Sequence, residues 1–179
     1  MRRCNCTRLA LGLASFLLGG AVAYAGVGTS SFTARASVHT SCTILTTPVA
    51  FGAYDPIGAH RSADLNATGS ITVACVKGTT PTIALDRGSN PAGSTRRMND
   101  VPSGDFLAYE LYQPPSNAPG TPCSFPATAV WGTAGADLFT ASSALSKAAR
   151  TYNVCGSVPA GQNPSIGTYS DTVLATVNF

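Results

Sequence analysis

Short runs in which apolar and polar residues alternate one for one, each closed by glycine, proline, serine or asparagine, recur along this chain and restrict what it can fold into. Phe32, Ala34, Ala36 and Val38 alternate with Thr33, Arg35, Ser37 and His39, and Ile71, Val73 and Cys75 alternate with Thr72, Ala74 and Val76. Leu107, Tyr109 and Leu111 share a face opposite Glu110, and Tyr152, Val154, Gly156 and Val158 repeat the period. A period of two places every second side chain on the same face of a strand. Cys42–Thr46, Val49–Phe51, Ile83–Leu85 and Ala129–Trp131 are further short β-prone pieces, and Thr172–Phe179 is β-prone to its last residue. No apolar period of 3.6 is sustained, and only Leu138–Ala149 has room for a helical turn. Arg87–Asp105 and Gln113–Thr128 read as loops, rich in Gly, Pro, Ser and Asn. Seven or so short strands predict an all-β fold, an immunoglobulin-like Greek-key sandwich.

The first 25 residues read differently. Arg2, Arg3 and Arg8 precede the apolar stretch Leu9–Leu18, and Ala23-Tyr-Ala25 offers small side chains for a signal peptidase. The stretch is shorter than the roughly 20 apolar residues that span a bilayer. Residues 1–25 are therefore expected to be a removed signal peptide, with export out of the cytoplasm. Cys4 and Cys6 lie ahead of the apolar stretch and leave with it. Without those three arginines, the eleven Lys and Arg of the chain fall to eight, against eight Asp and Glu. A balanced charge gives no reason to expect nucleic acid as a partner, and no membrane insertion is expected after cleavage.

Four cysteines remain: Cys42, Cys75, Cys123 and Cys155. In an exported chain an even number reads as disulfides, here with three possible pairings. Cys42 heads one strand-like segment and Cys75 lies late in the next, so an antiparallel crossing favours Cys42–Cys75 and leaves Cys123–Cys155. Zinc is the competing reading, but no Cys-x-x-Cys occurs and His39 and His60 stand apart.

No catalytic constellation assembles from these residues. The chain has no G-x-S-x-G, P-loop or H-E-x-x-H, only two histidines, and Glu110 as its one glutamate. Its aspartates, Asp55, Asp64, Asp86, Asp100, Asp105, Asp137 and Asp171, mostly neighbour turn-forming residues and read as turn carboxylates. Arg96-Arg97 reads as a solvated loop and Trp131 as a core anchor. The Asn66-Ala-Thr68 sequon is too short and common to inform. No enzyme, catalytic residue, metal or cofactor is expected.

Phe32–Ile44, Phe51-Gly-Ala-Tyr-Asp-Pro56 and Gly69–Cys75 resemble the opening of the spore coat protein U domain family. Arg96-Arg97-Met98, Leu107–Tyr112, Val130-Trp-Gly132 and Gly167-Thr-Tyr-Ser-Asp-Thr-Val173 continue the likeness in order, while Pro114–Pro126 is longer than it leads one to expect. The family is similar to the subunits of archaic (Csu-type) chaperone–usher pili. That resemblance implies a sandwich lacking its final strand, whose groove is filled first by a periplasmic chaperone and then by another subunit's N-terminal extension. An outer-membrane usher and other copies of the chain or related pilins complete the implied partners. Residues 26–41 become a candidate donor strand, with Phe32, Ala34, Ala36 and Val38 as its inserting side chains, ahead of a sandwich domain at 42–179. Val173, Ala175, Val177 and Phe179 mark a candidate C-terminal edge strand, with no further strand after it. Two other readings remain: a monomeric spore-coat or cell-surface structural protein, and an adhesive or carbohydrate-binding module using Tyr54, Tyr112 and Tyr169.

Overall fold

The computed structural model describes residues 25–179, so the expected leader at 1–25 lies almost wholly outside it. The chain divides at residue 36. Residues 25–41 carry no strand of their own and every one of them is exposed, so the expected strand at Phe32–Val38 is absent within this chain. An alternating segment has no ladder until another strand supplies backbone partners.

Residues 37–179 hold eight strands: β1 (Cys42–Thr47), β2 (Leu65–Cys75), β3 (Thr82–Leu85), β4 (Arg96–Asn99), β5 (Phe106–Tyr112), β6 (Phe139–Thr140), β7 (Arg150–Val158) and β8 (Ala175–Asn178). They form a five-stranded sheet in the order β1-β2-β7-β5-β4 and a three-stranded sheet in the order β6-β3-β8, every pairing antiparallel. Between them lies a core containing Ile71, Val73, Ile83, Leu111, Trp131 and Tyr152, all 5% exposed or less. This is the expected all-β, immunoglobulin-like sandwich.

Both expected disulfides are present. Cys42 faces Cys75 across the β1–β2 ladder with Cα atoms 4.1 Å apart, and Cys123 joins Cys155 at 5.5 Å. The second bridge, together with Asn153 Nδ2 donating to the Thr121 carbonyl at 2.7 Å, ties the proline-rich loop to β7.

Other expectations are corrected by where the backbone finds partners. Leu138–Ala149 is not helical: Phe139 pairs with Ile83, and the Ala141 and Ala144 amides donate to Pro81 and Thr79. Val49–Phe51 forms no strand, because Pro48 breaks the ladder and the segment packs instead over two glycines of the five-stranded sheet. A Cβ on Gly156 would stand 2.6 Å from a Val49 methyl and 2.7 Å from the Phe51 ring, and one on Gly69 would stand 2.7 Å from Val49. Ala129–Trp131 contributes a single bridge, between Val130 and Tyr112. β8 begins only at Ala175, since the Leu174 amide donates to the Asp86 carboxylate at 2.9 Å; Val173 therefore precedes the strand and Phe179 follows it. β4 arises inside the expected loop at Arg87–Asp105.

Arg96 is the largest correction. It is not solvated at all: it is 0% exposed, and its guanidinium donates to the carbonyls of Leu85, Asp86 and Trp131 at 3.1, 2.6 and 2.7 Å and to the Glu110 carboxylate. Three carbonyls and a carboxylate supply what burial of a cation demands. Arg97 does stay near the surface, its guanidinium 4.0 Å from the centre of the Phe106 ring.

Candidate functional site

Of the four edge strands, β1 and β8 flank one side of the sandwich. β1 borders the larger sheet and β8 the smaller, each bonded on one side only, and a groove runs between the end of β1 and the segment that leads into β8. The floor of this groove is Ile71, Leu85, Tyr109, Leu111 and Val154. One wall is Thr46–Val49 with Phe51; the other is Tyr169–Val173 with Ala175. A cavity of about 410 Å³ occupies this stretch, and a second of about 630 Å³ continues from it toward Tyr54, Pro164 and Ile166. Val49, Phe51, Met98 and Tyr169 line both, which makes the groove continuous.

Each wall has a cause in the sequence. Glycine at 69 and 156 lets Val49 and Phe51 settle against the sheet, and Phe51 meets Tyr109 edge-on with ring centres 5.9 Å apart. The opposite wall is held by two carboxylates. Asp86 accepts the Gly88 and Leu174 amides, both at 2.9 Å. Asp171 accepts the Ser89 amide at 2.8 Å and the Tyr109 hydroxyl at 2.8 Å. Burial, and then the hydrogen bond to Asp171, push the Tyr109 hydroxyl far above the usual tyrosine range, so it stays a donor. Apolar floor, unpaired edges and strand-wide walls suit an extended segment that adds main-chain hydrogen bonds and inserts alternate side chains.

The candidate residues divide between groove and tail. Val173 and Ala175 line the groove, Val177 packs on the core beyond it, and Phe179 is 55% exposed at the chain end. Phe32 and Val38 are 92% and 83% exposed. The three tyrosines share no face. Tyr54 and Tyr169 line the upper cavity, with hydroxyls donating to Pro159 and Ser165, whereas Tyr112 pairs with Cys155 at the far end of β5. Asp86 and Asp171 read from sequence as turn formers, and the Gly167–Val173 segment was the only signal that Asp171 belonged to a special stretch. Among the described residues, no group of three or more His, Cys, Asp or Glu is placed to hold a metal ion, and no helix is long and apolar enough to cross a membrane.

Such a molecule defines a class: an immunoglobulin-like β-sandwich with an apolar-floored groove beside two edge strands. The chain belongs to the Spore Coat Protein U domain family, whose model matches residues 28–176. It is 34% identical over 179 residues to Protein U of Myxococcus xanthus, covering 93% of each chain. Its fold is similar, at a TM-score of 0.55 and 22% identity, to a chain in the crystal structure of the CsuC-CsuE chaperone–tip adhesion subunit pre-assembly complex from archaic chaperone–usher Csu pili of Acinetobacter baumannii. That match covers 79% of this chain and 40% of the other, so this chain spans less than half the length of its structural neighbour. The family marks a structural protein rather than an enzyme.

Proposed function

We propose that this chain is an exported structural subunit of a surface fibre, assembled by donor-strand exchange after delivery by a periplasmic chaperone to an outer-membrane usher. The groove beside β1 and β8 carries the reading, because an apolar floor lies beneath two strand edges that each have a partner on one side only. The occupant is residues 32–38 of a second copy. Their alternating Phe32, Ala34, Ala36 and Val38 are exposed in the donor, and a strand of that length covers about 20 Å at ~3.3 Å per residue. The chaperone complex among the fold's structural neighbours supports the same partner here.

The decisive experiment compares residues 26–179 exported alone with the same chain carrying a copy of residues 27–40 after Phe179. The unfused chain is expected to aggregate or be degraded, and the fused one to be soluble and to melt much higher. Equal stability of the two would sink the reading. A surface-coat role without fibres is the second reading, favoured by the near full-length likeness to Protein U. Electron microscopy of the native surface separates the two, as does the presence of chaperone and usher genes beside this one.

A further inference from the structure

Basic and acidic side chains sort to opposite ends of the sandwich. β1, β3 and β7 run in one direction and β2, β5 and β8 in the other, so Cys42, Cys75 and Asn178 share one end, here the lower. Hydrogen bonds join the loops there: Gly78 N to Ala144 O at 2.8 Å, Ala144 N to Thr79 O at 2.9 Å, and Val76 N to Ser41 O at 3.0 Å. Loops 52–64, 100–105 and 159–168 meet at the upper end. Tyr54 donates to Pro159 O at 3.0 Å, Ala160 N to Asp64 at 2.9 Å, Ser165 N to Asp105 at 3.0 Å, and Thr168 N to Asp100 at 3.0 Å.

The two ends are complementary. The lower loops carry Lys77 and Lys147 exposed, the start of β7 adds the half-buried Arg150, and neither has an acidic side chain, with Leu145 86% exposed. The upper loops carry Asp55 and Asp64 exposed, Asp105 half-buried and Asp100 buried beneath them, against Arg61 alone, with Ile57, Val101 and Ile166 exposed by 87%, 82% and 101%. Their hydrogen bonds hold Asp55, Asp100 and Asp105 below the usual carboxylate range, which favours their charged forms.

We propose that the basic lower end of one copy docks on the acidic, apolar-tipped upper end of the next, forming a second interface beside the inserted strand. This rests on the donor-strand reading. Only His39, Thr40 and Ser41 separate Val38 from Cys42, a span of at most about 14 Å, so a donating copy is held close to the mouth of the groove it fills. Each copy's own segment 37–41 leads into β1 from the lower end. A donor leaving by its acceptor's lower mouth would set lysines against lysines and close the assembly after two copies. Leaving by the upper mouth sets unlike charges together and lets copies add without limit.

The four cysteines of the domain are already paired, so new thiols report only on the interface. Fibres of the mature chain carrying both Leu145→Cys and Ile166→Cys should yield a ladder of covalent oligomers on mild oxidation, and Leu145→Cys alone none. Lys77→Glu with Lys147→Glu should slow assembly about tenfold at low salt and flatten its salt dependence. Normal fibres with an unchanged rate and no ladder overturn the end-on interface and leave strand donation standing, and dimers from Leu145→Cys alone also overturn it. An unaltered mature chain that forms no fibre with its chaperone and usher overturns the donor-strand reading and this interface with it.

Discussion

Arg96 and Glu110 form a salt bridge in which the arginine side chain is 0% exposed and the glutamate 19%. The pair binds β4 and β5 to the end of β3 and to Trp131, because the same guanidinium also takes the carbonyls of Leu85, Asp86 and Trp131. Arg96→Ala should therefore lower the stability of the donor-fused domain by about 3–5 kcal/mol, since it leaves three carbonyls without their donor and Glu110 with Arg87 as its remaining cation. Arg96→Lys should recover little, having no planar fork to reach four acceptors. Arg96→Met with Glu110→Gln should cost less than Arg96→Ala alone. Urea unfolding midpoints decide among these.

Phe32 offers a cleaner separation of folding from assembly. It is 92% exposed, so Phe32→Asp should leave the unfolding of the donor-fused domain unchanged. Losing its burial in a neighbour's groove, worth about 1.5–3 kcal/mol, should weaken binding of a residue 27–40 peptide roughly ten- to a hundredfold. Fibres should fail while the chaperone complex still forms, as copurification and electron microscopy would show.

Gly156 sets the depth of the groove wall. Gly156→Val should push Val49 and Phe51 outward and cost about 1–3 kcal/mol as overpacking. Calorimetry of the donor-fused domain measures the first effect, and displacement of the chaperone from its complex by a residue 27–40 peptide measures the accompanying change in the groove.

Acid should loosen the upper loops first. The Ser103 hydroxyl and amide hold Asp100 below its ordinary 3.8, and the Ser165 hydroxyl and amide do the same for Asp105. A carboxylate whose folded value is depressed adds stability above its unfolded value and loses it as pH falls through the folded one. Stability should thus decline below about pH 4, and Asp105→Asn should flatten that decline. Hydrogen exchange across residues 159–168 between about pH 2 and 5 would follow it.

Much of the sandwich is visible in the sequence where alternation and ladder coincide. β5 begins at Phe106 and ends at Tyr112 as the pattern requires, and β7 carries Tyr152, Val154, Gly156 and Val158 inward. Cys42 and Cys75 pair because the β1–β2 register sets them opposite each other. What stays hidden depends on distant partners. Arg96 looks solvated until Glu110 and three carbonyls surround it, and β4 has too few apolar residues to alternate. The groove itself is a relationship between edges far apart in sequence. Only the alternating tail at Phe32–Val38 and the β-prone end at Thr172–Phe179 hinted at it, and Val49 and Phe51, which shape its wall, read simply as a short strand.

The Cys42–Cys75 bridge has a mechanical consequence in a fibre built this way. Pulling on the fibre draws on each donor strand, and the force enters the next domain at Cys42, the first residue of β1. β1 is an edge strand six residues long, and hydrogen bonds alone would let it peel away under load. The covalent link passes the tension at its point of arrival to Cys75 on β2, an eleven-residue strand paired on both sides, and spreads it across the middle of the sheet.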